Sequence, residues 1–106
     1  MKKKEYTQTQ IEISNLMKVL GNPARVAILE HLLEVKECIC GQIVDVLPLA
    51  QPTVSLHLKE LRNAGLIKGS VEGNTICYCI DEKGIEKLSN YFDKARELLE
   101  IKNSCC

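Results

Sequence analysis

The strongest constraint on the fold is a pattern between Gly41 and Leu66. A short apolar stretch with Ile43, Val44 and Leu47 ends at Pro48, and a longer helical run follows from Gln51 to about Ala64. In that run Val54, Leu58 and Leu61 recur at helical spacing, which marks them as buried. Gln51, Thr53, Ser55, His57 and Lys59 occupy other positions along it. Gly65 followed by Leu66 is a C-cap signature: glycine takes the left-handed conformation and an apolar residue packs just beyond it. Two helices joined by a tight turn, the second polar and uncharged at its N-terminal end, form the helix-turn-helix that seats a helix in the major groove of duplex DNA.

The flanking sequence supplies the rest of a small domain. Ile11 to Leu20 reads as a helix with Ile13, Leu16, Met17 and Leu20 on one side. Gly21-Asn22-Pro23 interrupts it, with Asn22 as N-cap and Pro23 at the first helical position, where its missing N–H costs nothing. The next helix is apolar on two sides, through Ala24, Ala27, Ile28, Leu32 and Val35 and through Val26, Leu29 and Leu33, so it is the central helix of the core. His31 is read as packed within it. Leu66–Lys68 and Thr75–Ile80 flank Glu72-Gly73-Asn74 and read as a β-hairpin. From Glu82 to about Lys102 a long amphipathic helix carries Ile85, Leu88, Phe92, Ala95 and Leu99, with Tyr91 and Leu98 beside them. So wide an apolar stripe is more than a 106-residue monomer can cover. The fold expected is therefore mainly α, a winged helix-turn-helix of about five helices with a two-stranded hairpin wing. Residues 1–106 form one domain, and the terminal helices form a homodimer interface.

Charge and composition narrow the partner. Fourteen basic residues balance fourteen acidic ones, which argues against a generic polyanion binder. Residues 5–50 carry three basic and six acidic side chains, whereas residues 51–80 carry Lys59, Arg62 and Lys68 against Glu60 and Glu72. Affinity for DNA must then rest on helix geometry and on doubling by two-fold symmetry. Gln51 can bond adenine bidentately, Thr53 offers a methyl and a hydroxyl, Ser55 extends the polar surface, and Lys59 and Arg62 are phosphate candidates. One Phe, three Tyr and no Trp leave little for stacking on single strands. No apolar run approaches the roughly 20 residues of a membrane span, and the basic start lacks the apolar core of a signal peptide. The expected location is the cytoplasm, with no membrane partner. No C-x-x-C motif, phosphate-cradling loop or acid–base constellation points to an enzyme.

Six cysteines in a chain of this kind read as metal or redox ligands rather than as structural disulfides. Cys38 and Cys40 stand directly before the helix-turn-helix; residues two apart in an extended or helix-entry segment can turn to the same side and reach one ion. Cys105 and Cys106 end the chain at the tip of the long helix. Cys77 and Cys79 alternate on one strand, opposite Ile76, Tyr78 and Ile80, and are read as core or surface filler, with a second site in the wing as the alternative.

Taken together, Leu20-Gly21-Asn22-Pro23-Ala24-Arg25, Glu37-Cys38-Ile39-Cys40, Gln51-Pro52-Thr53-Val54-Ser55-Leu56-His57-Leu58, Leu61-Arg62-Asn63-Ala64-Gly65-Leu66-Ile67 and Tyr78 resemble the arsenic-repressor (ArsR/SmtB) family of winged-helix repressors. The resemblance covers nearly the whole chain. It implies a homodimer that represses an operator in double-stranded DNA and lets go when its ligand binds, with no cofactor required. It also implies soft-metal thiolates at Cys38 and Cys40, and His57 at a recognition-helix position that either packs on the scaffold or touches DNA. The inducer implied is As(III) or Sb(III), or a soft ion such as Cd(II), Pb(II) or Cu(I).

This sequence departs from the family pattern in places that matter. Arsenic-sensing members place a third cysteine where Ile43 stands, so the resemblance directs the remaining ligand to Cys105 or Cys106. The zinc site that relatives build on the terminal helix needs histidine, and this helix has none. Ala50 replaces the usual serine N-cap, worth about 1 kcal/mol. The hairpin carries no arginine and only Lys68 near its start. An alternative signal, used by some relatives, is oxidation: a disulfide or polysulfide bridge from Cys38 or Cys40 to Cys105 or Cys106.

Overall fold

The protein is described from a computed structural model, which places residues 5–40 and 48–101. The expected helix over 41–47, and Cys105 and Cys106, lie outside the described residues. The elements run α1 (Gln8–Val19), α2 (Pro23–Val35), β1 (Ile39–Cys40), α3 (Gln51–Asn63), β2 (Ile67–Glu72), β3 (Thr75–Ile80) and α4 (Glu82–Ile101). The mainly helical winged helix-turn-helix read from the sequence is the fold observed.

Local chemistry sets the boundaries. Thr7 and Gln10 close a capping box at the start of α1: the Thr7 side chain accepts from the Gln10 N–H at 3.1 Å and Gln10 Oε1 accepts from the Thr7 N–H at 2.9 Å. Asn22 Oδ1 caps α2 by accepting from the Ala24 N–H at 2.8 Å, and Pro23 opens the helix. Beyond α3, Gly65 takes φ +82°, the Leu66 N–H donates to the Leu61 carbonyl and the Gly65 N–H to the Arg62 carbonyl, both at 3.1 Å. That pair of bonds is a Schellman motif, and it redirects the chain into β2. Asp81 Oδ1 accepts from the Lys83 N–H at 3.1 Å and caps α4.

The core lies where the three described helices α1, α2 and α3 meet the base of the hairpin. Ile13 and Leu16 of α1, Ile28, Leu29 and Leu32 of α2, Val54, Leu58 and Leu61 of α3, and Leu66 and Ile67 form one buried cluster. Val54, Leu58 and Leu61 follow the spacing seen in the sequence, and Leu66 is the apolar residue of the C-cap signature. Gly84 seats α4: a Cβ there would collide with the backbone of Gly65 and Leu66. Lys87 of α4 pairs with Glu12 of α1 at 3.5 Å, across the seam between these two helices.

The sheet departs from the expected two-stranded wing. Its order is β1-β3-β2, all antiparallel, because Ile39 and Cys40 add a short strand to the free edge of β3. Ile39 pairs with Tyr78 and Cys40 with Cys77. The reason is elementary: β3 has a second edge of backbone N–H and C=O groups to satisfy, and the extended backbone after α2 satisfies it. Cys40 is therefore a strand residue.

Candidate nucleic-acid interface and cysteine site

Helix α3 buries Val54, Leu58 and Leu61 and leaves Gln51, Thr53, Ser55, Lys59 and Arg62 exposed. At about 100° per residue, Gln51, Ser55, Lys59 and Arg62 share a stripe about 80° wide, and Thr53 lies at the far border of the exposed arc. Leu56, between the two, is 54% exposed; a bare leucine on a polar helix face suits the methyl group of thymine. No acidic residue occupies the first turn of α3, and Ala50 makes no side-chain cap.

His57 is placed differently from these neighbours. It is buried, and its Nδ1 accepts a hydrogen bond from Arg25 Nε at 3.1 Å, which puts the ring proton on Nε2. Arg25 also donates from its guanidinium to the Val19 carbonyl at 3.2 Å. The structure packs His57 on the scaffold: through Arg25 it ties the middle of α3 to the N-terminal turn of α2 and the end of α1. Arg25 was visible in the sequence only as part of the Asn22-Pro23-Ala24-Arg25 motif, because a pairing 32 residues apart leaves no local signal.

The cysteines form the second candidate site. Ile39, Tyr78 and Ile80 all pack against the core. The alternating residues Cys38, Cys40, Cys77 and Cys79 therefore belong to the opposite face. The register sets Cys40 across from Cys77 and Cys38 across from Cys79, with Cα–Cα separations of 4.0 and 4.4 Å, and both pairs are joined as disulfides. Such short separations belong to the non-hydrogen-bonded positions of an antiparallel ladder, where side chains stand nearest. By sequence alone Cys77 and Cys79 read as core or surface filler and the tail cysteines as the partners of Cys38 and Cys40. Strand register brings the wing cysteines to them instead, and a two-residue strand is too short for periodicity to reveal it. Cys38 and Cys40 are exposed, Cys79 is half-buried and Cys77 is 2% exposed. With these sulfurs paired, no group of three or more His, Cys, Asp or Glu among the described residues is arranged to hold a metal ion.

Comparison with known proteins places this architecture. Residues 22–68, from the N-cap of α2 to the start of β2, match the family described as bacterial regulatory protein, arsR family. An HTH-type transcriptional regulator of Methanocaldococcus jannaschii is 34% identical over 82 residues, covering 76% of this chain and 91% of that protein. The chain belongs to the ArsR family. A CadC homolog of Staphylococcus aureus, a cadmium resistance transcriptional regulatory protein, is 30% identical over 96 residues, 89% of this chain and 78% of its own. The repressor SmtB of Mycobacterium tuberculosis is 40% identical over 63 residues, 59% of this chain but only 46% of SmtB.

Among solved structures, an ArsR-family regulator, RHA00566, superposes with a TM-score of 0.78 at 19% identity, covering 90% of this chain and 97% of that one, which speaks to the fold alone. The reduced form of HlyU from Vibrio cholerae gives a TM-score of 0.62 at 29% identity over 70% of this chain and 77% of its own. The M. jannaschii, S. aureus and M. tuberculosis relatives are transcriptional regulators, and this ArsR-family protein is a DNA-binding regulator rather than an enzyme. No helix among its described residues is long and apolar enough to cross a membrane.

Proposed function

We propose that this ArsR-family protein is a homodimeric transcriptional repressor. It holds double-stranded operator DNA through α3 and releases it when a trivalent arsenical, or a soft ion such as Cd(II) or Pb(II), binds the thiolates of Cys38 and Cys40. The observation that carries this reading is the position of those two cysteines: both lie on one face of the short extended segment between α2 and the helix-turn-helix. A ligand that draws the two sulfurs together acts on the connection that sets the helix-turn-helix against the core. The relative named for cadmium resistance, and an arsenical resistance operon repressor of Staphylococcus xylosus 29% identical over 82 residues, support a soft inducer. Thiolate sulfur suits such ions and suits Mg or Ca poorly. A regulator of this kind works in the cytoplasm, where the DNA is.

Dimerisation is supported by the apolar side chains that α1 and α4 leave uncovered: Ile11, Met17, Tyr91, Phe92, Leu98 and Leu99 are all at least 41% exposed. A second copy burying this surface sets two α3 helices on successive half-sites of one duplex.

A second reading, oxidation, is favoured by one specific feature, the pairing of Cys38 with Cys79 and of Cys40 with Cys77. Each bond forms when two thiols lose two electrons and two protons to a hydroperoxide or a polysulfide. The bridges then run to the wing and not to the tail. Operator release measured in parallel with arsenite, cadmium, lead, zinc and polysulfide tests the proposal. Release by arsenite or cadmium at concentrations where zinc and polysulfide do nothing is the expected result. Release by polysulfide alone would replace the metal reading with the redox one, and release by none of them would remove the thiols from the switch.

A further inference from the structure

An ion held by Cys38 and Cys40 needs further ligands. Two thiolates leave an arsenical one sulfur short and a four-coordinate d¹⁰ cation two short. The position where relatives carry a third cysteine is Ile43 here. We propose that Cys77 and Cys79 are those ligands, so that the reduced protein presents one four-thiolate site across the β1–β3 ladder. The inference rests on the soft-ion reading given above and extends it to the wing.

The geometry makes the case. A ladder of fixed register places Cys40 against Cys77 and Cys38 against Cys79, with Cα atoms 4.0 and 4.4 Å apart. Residues two apart on each strand share a face, so all four sulfurs stand over the same patch of sheet. Sulfurs near enough to bond to one another are near enough to share an ion. Any one of these cysteines alone would be unremarkable; two C-x-C pairs meeting in register are a built constellation. Access is also provided. A cavity of about 630 Å³ is lined by Cys38, Cys79, Lys36 and Lys68 and opens beside one end of the cluster, and Cys40 is exposed at the other.

The chemistry balances without a redox step. The chain is synthesised with free thiols. A divalent ion displaces one proton for each thiolate it binds, and arsenite, As(OH)₃, releases one water for each of three thiols it condenses with. Affinity for the divalent ion must therefore fall as pH falls. The consequence for function is mechanical. Strand β3 is shared between the wing, through β2, and the connection into the helix-turn-helix, through β1. An ion at the four sulfurs clamps the wing and that connection together and fixes the angle at which α3 meets DNA.

The test uses full-length protein kept reduced with a phosphine, which converts each disulfide to two thiols as it becomes the phosphine oxide. Cadmium is the probe. The ultraviolet sulfur-to-cadmium charge-transfer band, whose intensity scales with the number of bound thiolates, is followed together with cadmium affinity. Wild-type protein is expected to bind one ion per chain. Cys79→Ser, at the half-buried position, is expected to lose about a quarter of the band and the Cys77→Ser, Cys79→Ser pair about half. Affinity should drop on the order of a hundredfold or more in the pair. Circular dichroism shows whether the pair folds; should it not, the Cys79→Ser band decides alone.

A full band and unchanged affinity in the wing variants, with loss of both on deleting Cys105 and Cys106, would overturn the inference and assign the ligands to the tail. A full band that persists in Cys38→Ser, Cys40→Ser instead removes the soft-ion reading itself, so the two failures are distinguishable.

Discussion

Replacing Lys59 and Arg62 with alanine tests whether α3 lies against phosphates, and salt dependence gives the test a number. Both side chains are exposed, three residues apart on the same stripe of α3 as Gln51 and Ser55. Neither has a salt-bridge partner among the described residues, so removing them leaves no orphaned carboxylate behind. Each phosphate contact contributes about 0.9 to the slope of log K against log salt. If each protomer contributes two such contacts, a dimer loses four, and the slope becomes shallower by about 3.6. Between 50 and 200 mM salt the wild type should therefore lose about 150-fold more affinity than the doubly substituted protein. Fluorescence anisotropy with an operator duplex selected from random sequence, repeated across that salt range, measures both slopes. An unchanged slope would refute the placement of α3 on the backbone. A change of about half the expected size would mean two contacts rather than four, and single Lys59→Ala and Arg62→Ala variants then tell one engaged protomer from one engaged side chain per protomer.

Three other perturbations have outcomes set by the structure. Ala50→Ser should supply the side-chain cap that α3 lacks and raise stability by about 1 kcal/mol, seen as a rise of several degrees in thermal unfolding. Gly84→Ala should cost about 3 kcal/mol, because the added methyl meets the backbone of Gly65 and Leu66 rather than a movable side chain; a change within about 0.5 kcal/mol would mean that α4 does not seat there. Gln51→Ala with Thr53→Ala should flatten sequence preference while sedimentation still shows a dimer, since each good base contact is worth about 1–3 kcal/mol of discrimination. Retained operator selectivity in that variant would move base reading to other residues.

What the sequence revealed and what it hid follow from the range of the interactions. Asn22-Pro23 and Gly65-Leu66 punctuate helices through bonds within a few residues, so the start of α2 was legible at Pro23 and the end of α3 to within one residue, Ala64 being its C-cap. Val54, Leu58 and Leu61 announced the buried side of α3 by spacing alone. Thr7 and Gln10 carry an equally local capping-box signal, which starts α1 at Gln8, three residues before the Ile11 that apolar spacing alone marks. Strand β1 was a different matter. Two residues have no measurable period, and their extended state is fixed by the edge of β3, some 37 residues further along the chain. Separations of 32 to 41 residues likewise hid the opposition of Cys38 and Cys40 to Cys79 and Cys77, and the bond that turns His57 inward to Arg25. Pairings of that kind are set by register and packing, which one sequence does not display.

The claim that Cys38 and Cys40 govern operator occupancy is tested most directly by one titration. Wild-type protein and its Cys38→Ser, Cys40→Ser variant, both reduced and bound to the same operator duplex, are titrated with arsenite while anisotropy reports the bound fraction. The wild type should release the duplex as about one arsenic binds per protomer. The variant should hold DNA with wild-type affinity and stay bound throughout. A variant released at the same arsenite concentration as the wild type would contradict the account.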